Sequence, residues 1–437
     1  MNMKATISLL LMLLSLGLTW GQREGLTVLS GRVRSEGRAV PYATLQLQGN
    51  PIGVSCNDAG EYVLKLSEGH EHDTVIVRSL GYIAEKVTVA RLRKKGDVQL
   101  RRQPIELRTV AISDFRTALH LMRAMISRIA ENYHQQRAWS TFFYRDWRTV
   151  DGELYLFDEA VMNVERCAYS QYADKHGYRL DPREREMESN LKRLLRHRLV
   201  VCDRKLLEGK ILKPEGCDEM LVYSDNEVLF DPVATPQASY ALASRMLKEH
   251  WFEPIKTFSA DGEDYYLVRS VGPGRTPRAR IRYEYTIRKS DLALVRLVSS
   301  NHAQRSRAPK EAWVNWFYDS MTVESDSSVW DYAVCEGHYT LTHYFNDKVF
   351  NLRSYRQQHA DEVQRWHHRI EWVLTDFSLT PCGTADTVAA STLPPNPQLL
   401  PGAFGSSDYD ADFWGHYNTI PIDSLPLQLL REKFHIQ

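Results

Sequence analysis

Four histidines stand three residues ahead of a carboxylate: His70 and Asp73, His250 and Glu253, His359 and Glu362, His368 and Glu371. A His-x-x-Glu pair with a third, distant histidine gives zinc three ligands and leaves one position open for the water of a hydrolase. With 15 histidines and 55 acidic residues in the chain, chance alone supplies about two such pairs. The excess is small. The surroundings of His250 read as a helix end and residues 362–377 as a strand, and no arginine and glutamate constellation accompanies either. Zinc-dependent hydrolysis is therefore the third-ranked reading. There is no Gly-x-Ser-x-Gly elbow, no P-loop and no His-Glu-x-x-His, so the sequence names no catalytic residue and no cofactor. Asp58, Asp408, Asp410 and Asp412 offer carboxylates, but no twelve-residue calcium loop surrounds them and they read as turn formers. No metal site is assigned.

The elements around these residues begin with an export signal. Met1 to Gly21 carries one early cation, Lys4, then an uncharged leucine-rich run to Trp20 and a small residue before Gln22. Such a segment is a secretory signal, shorter than the ~20 apolar residues a membrane-spanning helix needs. The expected location is the periplasm or the outer membrane, with no spanning segment after cleavage. Export permits disulfides. Of the six cysteines at 56, 167, 202, 217, 335 and 382, Cys202 and Cys217 close a short loop and form the candidate pair, while connectivity stays open. Cys56 and Cys335 fit unpaired thiols equally well.

The balance of 55 basic and 55 acidic residues offers no net attraction for nucleic acid, which is excluded as a partner. The length calls for two or three domains. Residues 26–102 alternate apolar and polar positions between turns, and six or so short strands there argue for a β-sandwich. Gly31-Arg32-Val33, Pro41-Tyr42-Ala43-Thr44-Leu45, the turn Asn57-Asp58-Ala59-Gly60-Glu61-Tyr62 and Gly81-Tyr82 follow one another in it. In that order they resemble the carboxypeptidase-regulatory-like domain, a transthyretin-like sandwich common in exported proteins of Bacteroidetes-type bacteria. The resemblance covers about residues 29–100. It implies an accessory module rather than a catalytic one, and Gly31, Pro41, Asp58, Gly60, Tyr62, Gly81 and Tyr82 are its motif positions.

Residues 113–380 read as a second, β-rich domain with covering helices. Apolar residues at 115, 119, 122, 126, 129 and 133 mark a helix, with Ser113 or Asp114 as its cap. A hairpin over residues 140–164 follows. Residues 181–201 are dense in charge and read as helical or mobile, and Ala238 to His250 as a second helix. From Glu253 a succession of strands suggests an antiparallel meander, with turns at Asp261-Gly262, Gly272-Pro273-Gly274, Lys289-Ser290-Asp291 and Asn346-Asp347. A helix followed by such a sheet resembles the half-barrel of periplasmic lipoprotein carriers, without a motif that transfers residue by residue. The expected fold class is mainly β: a transthyretin-like sandwich, then a large antiparallel curved sheet with a few helices.

Tyr144, Trp147, Tyr155, Phe157, Trp313, Trp316, Tyr318, Trp366 and Trp372 admit two readings, a groove for sugars or lipid chains and a set of core and cross-strand pairs. Residues 381–437 contain the proline-rich linker around Pro394-Pro395-Asn396-Pro397 and a tail with an aromatic motif at 412–421 and an amphipathic end, expected to dock on the sheet. Together these readings describe a non-catalytic binding or structural protein of the cell envelope, its partner an envelope protein, a glycan or a lipid-like ligand. The alternative is a carrier of an apolar ligand.

Overall fold

The computed structural model describes residues 26–49, 52–79, 81–103, 108–109, 117–135, 138–166, 169, 191–202, 231–234, 236, 239–260, 262–273, 280–306, 320–353, 363–378 and 411–434. The proposed signal peptide, Cys217, His359, Glu362, Asp408, Asp410, Trp313, Trp316 and Tyr318 lie outside these residues. Among the described residues the protein is mainly β, and no helix is long and apolar enough to cross a membrane.

The first module comprises β1 (Thr27–Ser35), β2 (Arg38–Ala39), β3 (Thr44–Leu47), β4 (Gly53–Ser55), β5 (Glu61–Leu66), β6 (Thr74–Arg78), β7 (Tyr82–Ile83), β8 (Glu85–Thr88), the short helix α1 (Val89–Lys94), β9 (Val98–Gln99) and β10 (Arg101–Arg102). One sheet has the order β2-β1-β5 with β9 beside β1, and the other β4-β3-β6-β8. Strict alternation builds the core between them: in β5 Tyr62, Leu64 and Leu66 point inward, and in β6 Val75 and Val77 do. These residues share one cluster with Leu29, Val33, Leu45 and Leu47. Burying such side chains contributes roughly 1.5–3 kcal/mol each.

A sheet of twelve strands carries the second module. It is built from β11 (Arg108–Thr109), β12 (Ala138–Val150), β13 (Glu153–Arg166), β14 (Leu191–Cys202), β15 (Trp251–Phe252), β16 (Lys256–Ala260), β17 (Glu263–Pro273), β18 (Arg280–Arg288), β19 (Leu294–Ser306), β20 (Ser320–Cys335), β21 (His338–Arg353) and β22 (Val363–Ser378). The order is β11-β16-β17-β18-β19-β20-β21-β22-β12-β13-β14, with β15 also on β17, and the two ends do not pair. The meander from β16 to β22 thus returns its last strand to β12, the first long strand, through a register running from Trp139 opposite Ser378 to Val150 opposite Trp366.

Helices α2 (Ala118–Ser127) and α3 (Ile129–Asn132) cover one face, together with the turn α4 (Ser244–Leu247). Leu121, Met122, Met125 and Ile129 pack there against Phe142, Tyr144, Ile370 and Trp372 from the strands. The cap of α2 is Thr117, whose hydroxyl accepts from the His120 amide at 3.2 Å; Ser113 and Asp114 lie outside the described residues. The opposite face is covered by α5 (Ala411–His416) and α6 (Ser424–Phe434).

Three expectations fail. Residues 191–202 form a strand on β13 instead of a helical or mobile segment, the described residues from Ser239 to His250 contain the single turn α4, and Asn346-Asp347 lies inside β21 instead of between two strands. In the first and third, pairing between strands overrides local preference. Asn346 shows how: its Nδ2 donates to Asp326 Oδ1 at 3.0 Å and to Ser328 Oγ at 2.8 Å on β20, so the donor side of a turn-forming residue finds partners within the ladder. The real turn is Glu336-Gly337, where both residues have positive φ.

Candidate functional site

Alternation along β12 divides its side chains between the two faces. Phe142 and Tyr144 join the helix-covered core, whereas Phe143 and Trp147 face the tail, with Arg145 between them. Arg145 is 1% exposed. Its Nε and Nη2 donate to Glu159 Oε1 at 2.9 and 2.6 Å, and its Nη1 lies 3.9 Å from Glu371 Oε2. The remaining donors reach the tail backbone: Nη2 donates to the Ile420 carbonyl at 2.5 Å and Nη1 to that of Pro421 at 3.2 Å. A buried guanidinium thus has its fork filled by one carboxylate and two carbonyls, which is what makes its burial tolerable.

Glu371 continues the network. It bonds His343 Nε2 at 3.2 Å, and His343 Nδ1 meets Asp331 Oδ2 at 3.2 Å. Burial pulls the His343 imidazole down, but the hydrogen bonds to Asp331 and Glu371 outweigh it and push its pKa up to about 9. Burial also opposes the charged form of Glu371, and His343 and Arg145 hold it below the usual carboxylate range.

On the same face Arg369 joins three parts of the chain. Its guanidinium lies 4.4 Å from the Phe345 ring centroid, pairs with Asp423 at 3.3 Å and bonds the Tyr42 hydroxyl of the sandwich. Tyr42 has φ 55, a left-handed conformation unusual for a bulky residue. Its side chain brings the sandwich onto β21 and β22, with its ring 6.1 Å from that of Phe345. Nothing in the sequence marks it beyond its place after Pro41.

The tail completes the junction on the sandwich side. Strand β5 is at the end of its sheet, and the Asn418 side-chain amide takes both peptide groups of Lys65, accepting from its N–H at 2.7 Å and donating to its carbonyl at 2.9 Å. Lys65 Nζ donates to the carbonyls of Trp414 and Tyr417 at 2.7 and 3.0 Å. At the turn before β5, Asn57 Nδ2 donates to the Ile422 carbonyl at 3.0 Å, the Asp58 amide donates to Asp423 Oδ1 at 2.9 Å, and Asp58 Oδ1 accepts from the Ser424 amide and hydroxyl, each at 3.0 Å.

The motif residues have identifiable places. Asn57 Oδ1 accepts from the amides of Ala59 and Glu61, shaping the turn, and Gly60 sits at φ 72, where an added Cβ would stand 2.5 Å from the Val33 carbonyl. Gly31 lets the chain approach Gly96, whose oxygen would be 2.3 Å from a Cβ, and the Tyr62 hydroxyl donates to that same oxygen at 2.5 Å. Pro41 opens the turn before β3, Gly81 has φ 88, and Tyr82 begins β7. Cys56 is buried, and burial pushes its thiol up to about 12. Cys202 ends β14; its proposed partner lies outside the described residues.

The His-x-x-acid pairs do not converge. His250 stacks on Tyr283 with ring centroids 5.2 Å apart, against Gly272, where a Cβ would meet the imidazole at 2.2 Å. Both its nitrogens are engaged, Nδ1 with the Ser270 hydroxyl at 2.9 Å and Nε2 with the Tyr240 carbonyl at 3.1 Å, and burial lowers its pKa. His368 binds Asp146 at 3.0 Å on the helix-covered face, while Glu371 points to the other. The Arg148 guanidinium also reaches Asp146 at 2.6 Å; burial works against that carboxylate's charge, and Arg148 and His368 hold its pKa down nonetheless. His70 pairs with Asp73 at 2.6 Å on the sandwich. Among the described residues no group of three metal-ligating side chains comes together. Nor do the described aromatics line one groove: Tyr144 and Trp372 belong to the helix-covered core, Trp147 and Phe157 to the tail interface, and Trp366 stacks on Phe350.

No protein-family model matches the chain, and no curated protein matches it. Two solved structures give weak likenesses. One is a LolA superfamily protein from Nitrosomonas europaea, 8% identical with a TM-score of 0.21, the match covering 59% of this chain and 93% of that one. The other is a putative membrane-associated protein of unknown function from Bacteroides fragilis, 7% identical with a TM-score of 0.13, covering 80% and 97%. TM-scores this low carry no argument about fold or function. The class defined by the molecule itself is a mainly-β protein with an open antiparallel sheet, bonded to a small sandwich through a tail.

Proposed function

We propose that this chain is a non-catalytic binding or structural protein of the cell envelope, exported by its N-terminal signal, with the sandwich as a carboxypeptidase-regulatory-like accessory module. The observation that carries the reading is the junction: buried Arg145 and Arg369 join the sheet to the tail, Arg369 also bonds Tyr42 of the sandwich, and Asn418, Asp423 and Ser424 tie the tail to the sandwich. A joint of this density holds two modules as one body, which suits a component that presents a surface. The helix-covered face, where a carrier would hold cargo, is filled by the chain's own side chains from α2, α3 and the strands.

A second reading, carriage of an apolar ligand, has one observation in its favour. Among the described residues, the Asn346 Oδ1 and Trp372 Nε1 atoms on the helix-covered face are buried without a hydrogen-bond partner, so a ligand carrying a donor and an acceptor would find both needs there. Fractionation of cells followed by native mass spectrometry of the purified full chain separates the readings. The expected result is the envelope fraction and the mass of the bare polypeptide. A stoichiometric lipid-like adduct would put the carrier first, bound zinc would revive the hydrolase, and a cytoplasmic location would overturn both envelope readings.

A further inference from the structure

The segment 411–434 meets the rest of the molecule as a peptide ligand meets a receptor. Its recognition has three parts. Apolar anchors enter two clusters on the sheet, Trp414 and Ile420 beside Phe143 and Val161, and Leu430 beside Trp147, Leu154 and Phe157. Its backbone carbonyls at Trp414, Tyr417, Ile420, Pro421 and Ile422 accept from the side chains of Lys65, Arg145 and Asn57. One charge, Asp423, pairs with Arg369.

The contact with β5 has the same character. From Asn418 at Lys65 to Ser424 at Asp58, the tail runs antiparallel along the outer edge of that strand. It is no ladder partner: a side-chain amide, that of Asn418, stands in for a peptide group at Lys65. Exposed strand edges bind extended segments through main-chain bonds, with side-chain pockets supplying specificity.

We propose that residues 411–434 are an exchangeable ligand of a groove built jointly by β5, β12, β13 and β22, and that the occupant in trans is the same segment of a second copy of this chain. The observations that select a second copy are the length of chain ahead of the segment and the fit of the groove to this one sequence. The 32 residues 379–410 separate β22 from α5, and a linker of that length sets an effective concentration on the order of millimolar for the segment's own groove. At low protein concentration the intramolecular site wins; at a local concentration approaching that value, neighbours exchange tails and link. Such exchange creates no new interface, because each groove receives the contacts it already has.

The test uses the full chain with a protease site placed between residues 381 and 410. After cutting, a fluorescent peptide of residues 411–434 is added and its uptake followed by anisotropy, with near-ultraviolet circular dichroism reporting on the fold. The expected result is replacement of the cut segment by the labelled one. Peptides carrying Trp414→Ala or Asp423→Asn should compete at least ten-fold more weakly. Uncut chains with two different tags, mixed at high concentration, should co-purify. The proposal falls if the cut protein stays folded and takes up no peptide, if the two altered peptides compete as well as the native one, or if cutting unfolds the protein, since the segment would then be an integral part of the fold.

Discussion

The two faces of the large sheet are covered by different chemistry. On one, α2 and α3 bury leucine, methionine and isoleucine against tyrosine and tryptophan, and their position is set by packing, while the buried charges of that face, Asp146, Arg148 and His368, bond one another within the strands. On the other, the tail and the sandwich meet Arg145, Glu159, Glu371, Arg369 and His343, and position is set by directional bonds between charges. An apolar face tolerates small shifts in what covers it, whereas a buried guanidinium accepts only a covering chain that brings its carbonyls to the right atoms. The charged face therefore specifies its occupant, at the cost of desolvating the groups that do so.

Arg145→Met should break this difference most severely. It leaves Glu159 buried without the guanidinium that bonds it and takes Arg145 from beside Glu371, which keeps His343, and the expected loss of stability is about 3–5 kcal/mol. Urea unfolding measures it. The double variant Arg145→Met with Glu159→Gln should recover part of the loss; if it is as unstable as the single one, the uncompensated carboxylate is not the cause.

On the apolar face, Leu121→Ala removes a fully buried side chain from α2, and the expected loss is about 3 kcal/mol through lost transfer energy and a cavity. The tail should stay docked in this variant, since none of the contacts described for it passes through α2. Proteolysis within residues 381–410 followed by gel filtration would show this. Release of the tail by Leu121→Ala but not by Arg145→Met would invert the assignment of roles to the two faces.

The two faces also differed in how far they could be read in advance. The helix-covered side was legible because apolar spacing of three and four residues marks a helix, and most meander strands alternate cleanly. Within β21 the reading fails at Asn346-Asp347, where turn-forming residues find partners on neighbouring strands, Asp326 and Ser328 for the Asn346 donor and His367 for Asp347. The charged junction was not legible at all. Arg145, Glu159, Arg369 and Glu371 are ordinary strand residues in the sequence, and their meeting depends on β22 returning to pair with β12 across more than two hundred residues, a register that local pattern does not encode. Asp58 reads in the sequence as a turn former; its bonds to Ser424 add a role that only the folded tail creates.

A pH titration sharpens the comparison further. His343 titrates at about 9 in the folded protein against an ordinary 6.5, so its protonated form is favoured by folding. The stabilisation is complete below pH 6.5 and is lost as pH rises through 9. Unfolding measurements from pH 6 to 9.5 should show a decline on the order of 3 kcal/mol that is absent in His343→Gln. A decline of equal size in the variant would assign the effect to other groups.

The smallest effect is expected from a pair with the same chemistry as Arg145 and Glu159. Arg365 and Glu324 lie on the same sheet, 3.0 Å apart, but their side chains are 56% and 39% exposed against 1% and 0% for the buried pair. Water already solvates both partners when they separate, so a double-mutant cycle with Arg365→Ala and Glu324→Ala should return less than about 1 kcal/mol and shrink in salt. The same cycle on Arg145 and Glu159 should return several-fold more and change little with salt. If the two coupling energies come out equal, burial is not what gives the junction its strength, and the difference between the faces would have to be sought in the apolar anchors of the tail.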